Sequence, residues 1–85
     1  MYEISFTRSA DSDYRDLPAD LRNKVGTAVD GLSINPRPDG VQKMKVANPP
    51  FWRIRIGDYR IIFAIDDNKK EVVIARIRHR KDVYR

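Results

Sequence analysis

The chain contains no cysteine, which excludes a disulfide framework and any metal site built on thiolates. No stretch approaches the roughly 18 consecutive apolar residues that a membrane span requires. The first residues, MYEISFTRSADSDYRDL, lack a basic start followed by an apolar stretch, so no secretory signal is predicted. The expected location is therefore the cytoplasm.

The 85 residues provide room for one small domain, residues 1–85. A chain of this size buries only about 60% of the surface that its unfolded state exposes, so its core alone stabilises it weakly. We therefore expect a partner chain or a tightly bound ligand to add to its stability.

Positive charge is concentrated in the second half of the chain. Residues 1–41 carry five basic and seven acidic residues, a net charge of −2. Residues 42–85 carry twelve basic and five acidic residues, a net charge of +7. Charge that is segregated in this way gives the second half a positive field, which attracts polyanions such as nucleic acid, an anionic membrane or an acidic protein.

The spacing of apolar residues predicts one strand, two helices and then four strands. Residues 2–7 alternate, Ser9 is predicted to cap a short helix that ends at Pro18, and residues 18–32 carry one apolar stripe. The order β-α-α-β-β-β-β indicates an α+β fold in which both helices cover one face of an antiparallel sheet. The four later strands are predicted at residues 43–46, 52–56, 59–65 and 71–80.

The segment WRIRIGDYRIIFAI (52–65) predicts a hairpin whose open face carries arginine. Apolar residues alternate with arginines, and Gly57-Asp58 supplies a two-residue turn. Lys43 and Lys45 are expected at the edge of the same face. If the strand registers match, six arginines converge there: Arg53, Arg55, Arg60, Arg76, Arg78 and Arg80.

In the last strand, strict alternation assigns Val73, Ala75 and Ile77 to the side that the helices cover. The same alternation places Val72 and Ile74 with the arginines. A one-residue shift in register would reverse these assignments.

Any single arginine is more simply explained as solvated surface. Six together on neighbouring strands repel one another, which indicates an anion-binding face. Arginine rather than lysine favours bidentate contacts with phosphate or carboxylate.

Other residue types in this half have simpler explanations. His79 shares its side of the strand with Ile77, so a hydrogen-bonded, partly buried imidazole is expected in preference to a catalyst. Trp52 has the parity of a core residue. Tyr84 suits base stacking, proton donation and packing on the sheet edge equally well. A polar turn, not a metal site, is predicted at Asp66, Asp67 and Glu71.

A basic strand followed by GDYRIIFAID (57–66) and IRHRKDVYR (77–85), with two helices before them, resembles the RelE/ParE toxin superfamily of bacterial toxin–antitoxin systems. The RelE branch is the most similar, and the resemblance covers almost the whole chain. It implies a toxin with a fold like that of microbial ribonucleases, which enters the ribosomal A site and cleaves mRNA there. Translation is thereby inhibited, without a metal or any other cofactor.

The resemblance also implies the partners. A cognate antitoxin, expected to be acidic and DNA-binding, would neutralise the toxin. Operator DNA would be bound only through the toxin–antitoxin complex. The mRNA and the ribosome are the other expected partners, and no membrane is among them.

Carried over residue by residue, the resemblance gives Arg60 the role of holding the scissile phosphate. Arg80 would assist the leaving group, and Tyr84 would stack on a base of the substrate. Arg53 and Arg55 stand where lysines are found in the best-known pattern, one of them a proposed base. RNA contacts are expected from Lys43, Lys45, Arg76, Arg78 and Lys81.

Because arginines stand at positions 53 and 55, the identity of the general base is open. Metal-free RNA cleavage uses the ribose 2′-OH as its nucleophile, and a base must take that proton. A guanidinium group effectively cannot accept one, so Arg53 and Arg55 are expected to stabilise the pentavalent phosphorane electrostatically. Lys45, His79 and a group of the ribosomal RNA are the candidates for the base, and a reaction without any well-defined base is the remaining alternative.

Two other functions fit the same sequence. A ParE-like protein would keep the fold and inhibit DNA gyrase without nuclease chemistry. The joint presence of Arg60, Arg80 and Tyr84 argues against that function, because a protein-binding inhibitor needs no phosphate clamp. A non-toxic nucleic-acid-binding module would use the basic face only to follow a backbone.

Overall fold

The structure is a computed structural model that describes residues 1–44 and 50–83, the last two of these by their backbone alone. None of the helices in these ranges combines the length and the apolar character that crossing a membrane requires. The described strands are β1 (Glu3–Phe6), β2 (Gln42–Met44), β3 (Phe51–Ile56), β4 (Tyr59–Asp66) and β5 (Glu71–His79). The described helices are α1 (Arg8–Arg15), α2 (Ala19–Ile34) and α3 (Arg80–Val83).

The strands form one sheet in the order β1-β5-β4-β3-β2. The pairs β2–β3, β3–β4 and β4–β5 are antiparallel, as predicted, whereas β1 runs parallel to β5. The predicted α+β order is confirmed, but the sheet is mixed and not purely antiparallel. No tight turn joins β1 to β5, so no hairpin geometry imposes an antiparallel direction on this pair.

Helix α1 begins two residues earlier than predicted because Thr7, not Ser9, is its N-cap. The Thr7 hydroxyl oxygen accepts a hydrogen bond from the Ala10 amide at 3.1 Å. The same hydroxyl donates to the Ala75 carbonyl at 2.8 Å, and the Thr7 amide donates to the Ile74 carbonyl at 2.9 Å. Thr7 therefore starts the helix and anchors it to β5.

Helices α1 and α2 cover one face of the sheet, as predicted, and the hydrophobic core lies between them and that face. Full burial of an aliphatic or aromatic side chain stabilises the fold by roughly 1.5–3 kcal/mol. Helices α1 and α2 do not cover the opposite face of the sheet. Among the described residues, the buried core consists of Ala10, Leu17, Val25, Val29, Leu32, Ile61, Phe63, Val72, Ile74 and Ile77.

A β-bulge in β5 overturns the predicted alternation of that strand. Ile62 pairs with Arg76 and Phe63 pairs with Ile74, so Ala75 is the extra residue. Val72 and Ile74 consequently face the helices, where both are fully buried. The prediction that Val73 and Ala75 would occupy that side is wrong, because one inserted residue reverses the parity of everything before it.

Candidate functional site

Three arginines lie side by side across the open face of the sheet. Arg55 of β3 pairs in register with Arg60 of β4, and Arg60 pairs with Arg78 of β5. Directly opposed residues of antiparallel strands have Cβ atoms about 4.5–5.5 Å apart, so these charges are close neighbours. In the next row, Arg53 and Arg76 flank Ile62. The registers thus bring five of the six predicted arginines to one face.

Arg60 is the buried member of this group. It is only 5% exposed, and among the described residues it is the one polar side chain in the buried class. Its neighbours Arg55 and Arg78 are exposed and half-buried, respectively. Taking a charge out of water is costly unless the surroundings compensate, so a buried guanidinium group marks this position as a candidate functional one.

A pocket of about 150 Å³ opens beside Arg60, at the end of the sheet where β3 turns into β4. A single water molecule needs only about 10–15 Å³ of such space, so a tetrahedral anion fits. The described residues that line it are Arg55, Gly57, Asp58, Tyr59, Arg60 and Arg80.

Arg80 joins this pocket from a helix and not from a strand. The last strand was predicted to run to residue 80, but β5 ends at His79 and Arg80 opens α3. The Arg80 amide donates to the Asp58 carbonyl at 2.7 Å, which ties α3 to the β3–β4 turn. Gly57 permits that turn because its φ of +59° is in the left-handed region, where glycine carries no steric penalty.

His79 is engaged in structural contacts, in agreement with the expectation of a partly buried, hydrogen-bonded imidazole. Its ring meets the ring of Tyr59 edge to face, with centroids 5.0 Å apart. Its Nδ1 accepts a hydrogen bond from the Lys81 amide at 3.2 Å. These two contacts hold the ring between Tyr59 and the first turn of α3.

Arg76 is held by an acid of its own chain. Its Nε lies 2.9 Å from Oδ2 of Asp13, and the same oxygen accepts from the Ile77 amide at 3.0 Å. The Asp13 side chain is only 18% exposed. β1 ends at Phe6 and no longer pairs with β5 at this point, so the Asp13 carboxylate accepts the backbone hydrogen bond at the edge of β5. It also neutralises one arginine of the face.

The outer row of the face differs from the prediction at Lys43. Gln42 is opposite Arg53, and its Oε1 accepts from the Arg53 guanidinium at 2.8 and 2.9 Å. Lys43 is opposite Trp52, and its Nζ lies 5.8 Å from the centre of that ring. Lys43 therefore shares the side of Trp52 and is not at the edge of the arginine face. The prediction failed because the register begins one residue earlier than the KMKV alternation implied.

Trp52 packs against the core, as its parity indicated, and Arg37 covers its ring at 5.0 Å. Arg37 also forms a bidentate ion pair with Asp67, which accepts a further hydrogen bond from the Tyr2 hydroxyl at 2.6 Å. These two donors, Arg37 first, lower the pKa of Asp67 from 3.8 to about 2. This cluster is structural and separate from the pocket.

The polar turn predicted near Asp66 is present, because Asp66 Oδ1 accepts from the amides of Asn68 and Lys69, both at 3.0 Å. Lys81 is exposed and lines a second depression together with Asp58, His79 and Arg80. Two residues of the predicted site, Lys45 and Tyr84, lie outside the described residues.

Asp58 is the residue that the sequence analysis missed, since it was treated only as part of a turn. It lines both the arginine pocket and the second depression. The signal was present in the sequence: an acidic residue lies between the alternating arginines of residues 52–56 and the Tyr-Arg pair that opens β4.

Comparisons with known proteins agree on one family. The family model described as "ParE toxin of type II toxin-antitoxin system, parDE" matches residues 4–84. The chain is 36% identical over 85 residues to Toxin RelG of Mycobacterium tuberculosis, covering 99% of this chain and 97% of that protein.

Solved structures give the same result at the level of the fold. The toxin–antitoxin complex RelBE2 of Mycobacterium tuberculosis contains a chain with a TM-score of 0.79 and 29% identity, covering 92% of this chain and 96% of that one. The archaeal RelE–RelB complex of Pyrococcus horikoshii gives a TM-score of 0.82 at 23% identity, covering 93% and 94%. The chain therefore belongs to the RelE/ParE family of toxins from type II toxin–antitoxin systems.

Proposed function

We propose that this toxin is a metal-independent, ribosome-dependent endoribonuclease that cleaves mRNA in the A site and so inhibits translation. The observation that carries the proposal is the pocket, in which arginines from β3, β4 and α3 surround a space that fits a phosphate group. The similarity to proteins named RelG and RelE supports a toxin of the RelE type.

The proposed chemistry follows from the positions of these arginines. Attack of a ribose 2′-oxygen on the adjacent phosphorus gathers negative charge on the non-bridging oxygens. Arg60, held at a buried position, binds this phosphate, while Arg55 and Arg80 approach from the flanking elements. Donors that are already oriented toward a developing charge are worth about 2.7–4 kcal/mol each in comparable sites. Arg80 also assists departure of the 5′-oxygen.

The other cations have lesser roles in this proposal. Arg53 and Arg78 extend the positive surface along the RNA backbone, and Lys81 adds to it from α3. Arg76 contributes less, because Asp13 already neutralises it. Lys45 and Tyr84 keep their proposed roles in RNA binding and base stacking.

A cognate antitoxin is the proposed neutralising partner. The relatives from Mycobacterium tuberculosis and Pyrococcus horikoshii were both solved as complexes with antitoxins. An acidic segment of the antitoxin would cover the arginine face and exclude the mRNA. In this proposal operator DNA is bound by the antitoxin, which is DNA-binding, and not by the toxin alone.

Inhibition of DNA gyrase is the second candidate, since the matching family model is described by ParE. The fold is compatible with both activities. A gyrase inhibitor requires a protein-binding surface, however, and has no need of a buried arginine beside a phosphate-sized pocket. That pocket favours the nuclease.

The test compares purified toxin on a labelled mRNA free in solution and on the same mRNA bound to a ribosome with an empty A site. We expect cleavage on the ribosome alone. Cleavage in both reactions would overturn the ribosome dependence. Absence of cleavage in both, together with loss of gyrase supercoiling activity, would replace the nuclease by the gyrase inhibitor.

A further inference from the structure

We infer that Asp58 is the general base of the cleavage reaction, an inference that rests on the nuclease function proposed above. Cleavage through the 2′-oxygen needs a group that removes the 2′-OH proton. Where the best-known relatives have lysines, this chain has Arg53 and Arg55, which effectively cannot accept a proton. The base must therefore come from another position of the chain or from the ribosomal RNA.

Asp58 occupies the right place for this role. It is the second residue of the β3–β4 turn, it is exposed, and it lines the pocket together with Arg55, Arg60 and Arg80. Its carbonyl accepts the Arg80 amide at 2.7 Å, so its backbone is fixed relative to α3. A carboxylate on this turn is next to the space that the proposed function assigns to the scissile phosphate.

The remaining described residues that line the pocket do not supply a base. The guanidinium groups of Arg55, Arg60 and Arg80 are donors only. Tyr59 packs its ring against the core and against His79. His79 lies not in the pocket but in the adjoining depression, where its Nδ1 accepts the Lys81 amide and its ring packs against Tyr59.

The Asp58 carboxylate is also free to act. Among the described residues it has no ion-pair or hydrogen-bond partner for its side chain, although three arginines line the same pocket. Three other acids beside basic residues are engaged: Asp11 pairs with Arg15, Asp13 with Arg76, and Asp67 with Arg37. Asp39 lies near Arg53 and Arg55 but in a separate depression that does not include Arg60 or Arg80. The oxygen lone pairs of Asp58 are therefore available to a 2′-OH.

The step balances without a further reagent. An Asp58 oxygen takes the 2′-OH proton while the O2′–P bond forms and the P–O5′ bond breaks. The departing 5′-oxygen takes a proton from solvent, and Asp58 later returns its own proton to solvent. The products are a 2′,3′-cyclic phosphate on one fragment and a 5′-hydroxyl on the other. The arginines hold the negative charge throughout.

Three substitutions distinguish a general base at Asp58 from a residue that only shapes the turn. Gly-Asp and Gly-Asn are both favoured in two-residue hairpin turns of this kind. Asp58→Asn therefore preserves the turn and the backbone bond to Arg80 while it removes the basic oxygen. Asp58→Glu keeps a carboxylate. Asp30→Asn, an exposed position on α2, is the matched change of charge outside the pocket.

The experiment measures single-turnover cleavage of ribosome-bound mRNA by the wild type and these three variants. We expect Asp58→Asn to slow cleavage on the order of 100-fold. Asp58→Glu should retain clearly more activity than Asp58→Asn, and Asp30→Asn should match the wild type. The wild-type rate should rise about tenfold per pH unit on its acidic limb, and Asp58→Asn should lose that limb. Thermal unfolding and binding to ribosome-bound mRNA with a 2′-deoxy nucleotide at the cleavage position should be unchanged in Asp58→Asn.

Two results would overturn the inference and are distinguishable from failure of the proposed function. If Asp58→Asn cleaves at the wild-type rate and with the wild-type pH profile, Asp58 is not the base, although the protein is still a nuclease. Equal losses in Asp58→Asn and Asp58→Glu, with the acidic limb intact, would make Asp58 a positioning residue. A wild type that cleaves no mRNA would instead overturn the nuclease, and this inference with it.

Discussion

Arg55 and Arg60 are opposed in register, yet their environments differ. Arg60 is 5% exposed, whereas Arg55 is exposed at the mouth of the pocket. Replacing Arg60 would disturb the pocket and the packing of the sheet together. Arg55 separates the two effects, because its guanidinium reaches the pocket without being part of the core.

Arg55→Ala is accordingly the cleaner test of the arginine pocket. We expect it to lower the cleavage rate on the order of 100-fold, the loss typical of removing one preorganised donor. The unfolding free energy should change by no more than about 0.5 kcal/mol, as for other exposed positions. The measurements are ribosome-dependent cleavage and urea unfolding. Arg8→Ala, an exposed arginine of α1, is the control, and equal cleavage by both variants would contradict the pocket's role.

Asp67 allows a prediction about acid stability. Arg37 and Tyr2 hold its pKa at about 2, below the ordinary 3.8. A carboxylate whose pKa is depressed in the folded state stabilises the fold at pH values above the pKa that it has in the unfolded chain. That contribution is lost as pH falls from about 3.8 toward about 2. Asp67→Asn should therefore remove part of the acid-induced loss of stability in this window, measured as thermal unfolding against pH. An identical pH dependence in the wild type and the variant would contradict the prediction.

At the level of secondary-structure elements, α1 is attached to β5 where β1 has ended. Thr7 bonds to Ile74 and Ala75, and Asp13 bonds to Arg76 and Ile77. These contacts surround the bulge at Ala75. They fix both the edge of β5 and the inward direction of Ile77, and thereby the register that brings Arg78 beside Arg60.

Asp13→Ala should consequently destabilise the fold. It leaves the Ile77 amide and the Arg76 guanidinium without their acceptor, for which a loss of about 1–3 kcal/mol is typical. Asp11→Ala on the same helix removes the exposed i,i+4 pair with Arg15 and a favourable charge in the first turn, and should cost roughly 1 kcal/mol or less. Urea unfolding compares the two, and similar losses would show that Asp13 has no special role at the strand edge.

The elements could be predicted from the sequence where a periodic pattern determines them. The hairpin around Gly57 and the stripe of α2 have clear periods, so their faces followed directly. The bulge at Ala75 could not be predicted, because both sides of β5 are apolar before it and one extra residue leaves the composition unchanged. The position of Lys43 depended on where a three-residue strand begins. Asp58 was overlooked because turn chemistry alone already accounted for it.

On the scale of the whole molecule, charge and shape are arranged together. The acidic first half supplies the helices α1 and α2, which cover one face of the sheet, and the basic second half supplies the strands with the arginines. One face is thereby packed on the core while the other carries guanidinium groups. A small fold of this kind gains stability from whatever anion or acidic segment covers that face.

The proposed masking by an acidic antitoxin therefore predicts a marked salt dependence. Charge pairs at a partly solvated interface weaken as the Debye length falls from about 10 Å at 0.1 M salt to about 3 Å at 1 M. We expect the dissociation constant of the complex with the cognate antitoxin to rise at least about tenfold over that range. Isothermal titration calorimetry measures it, and Arg55→Ala should reduce the slope while Arg8→Ala leaves it unchanged. Equal affinity at low and high salt would mean that the antitoxin binds by apolar contacts elsewhere and leaves the arginine face uncovered.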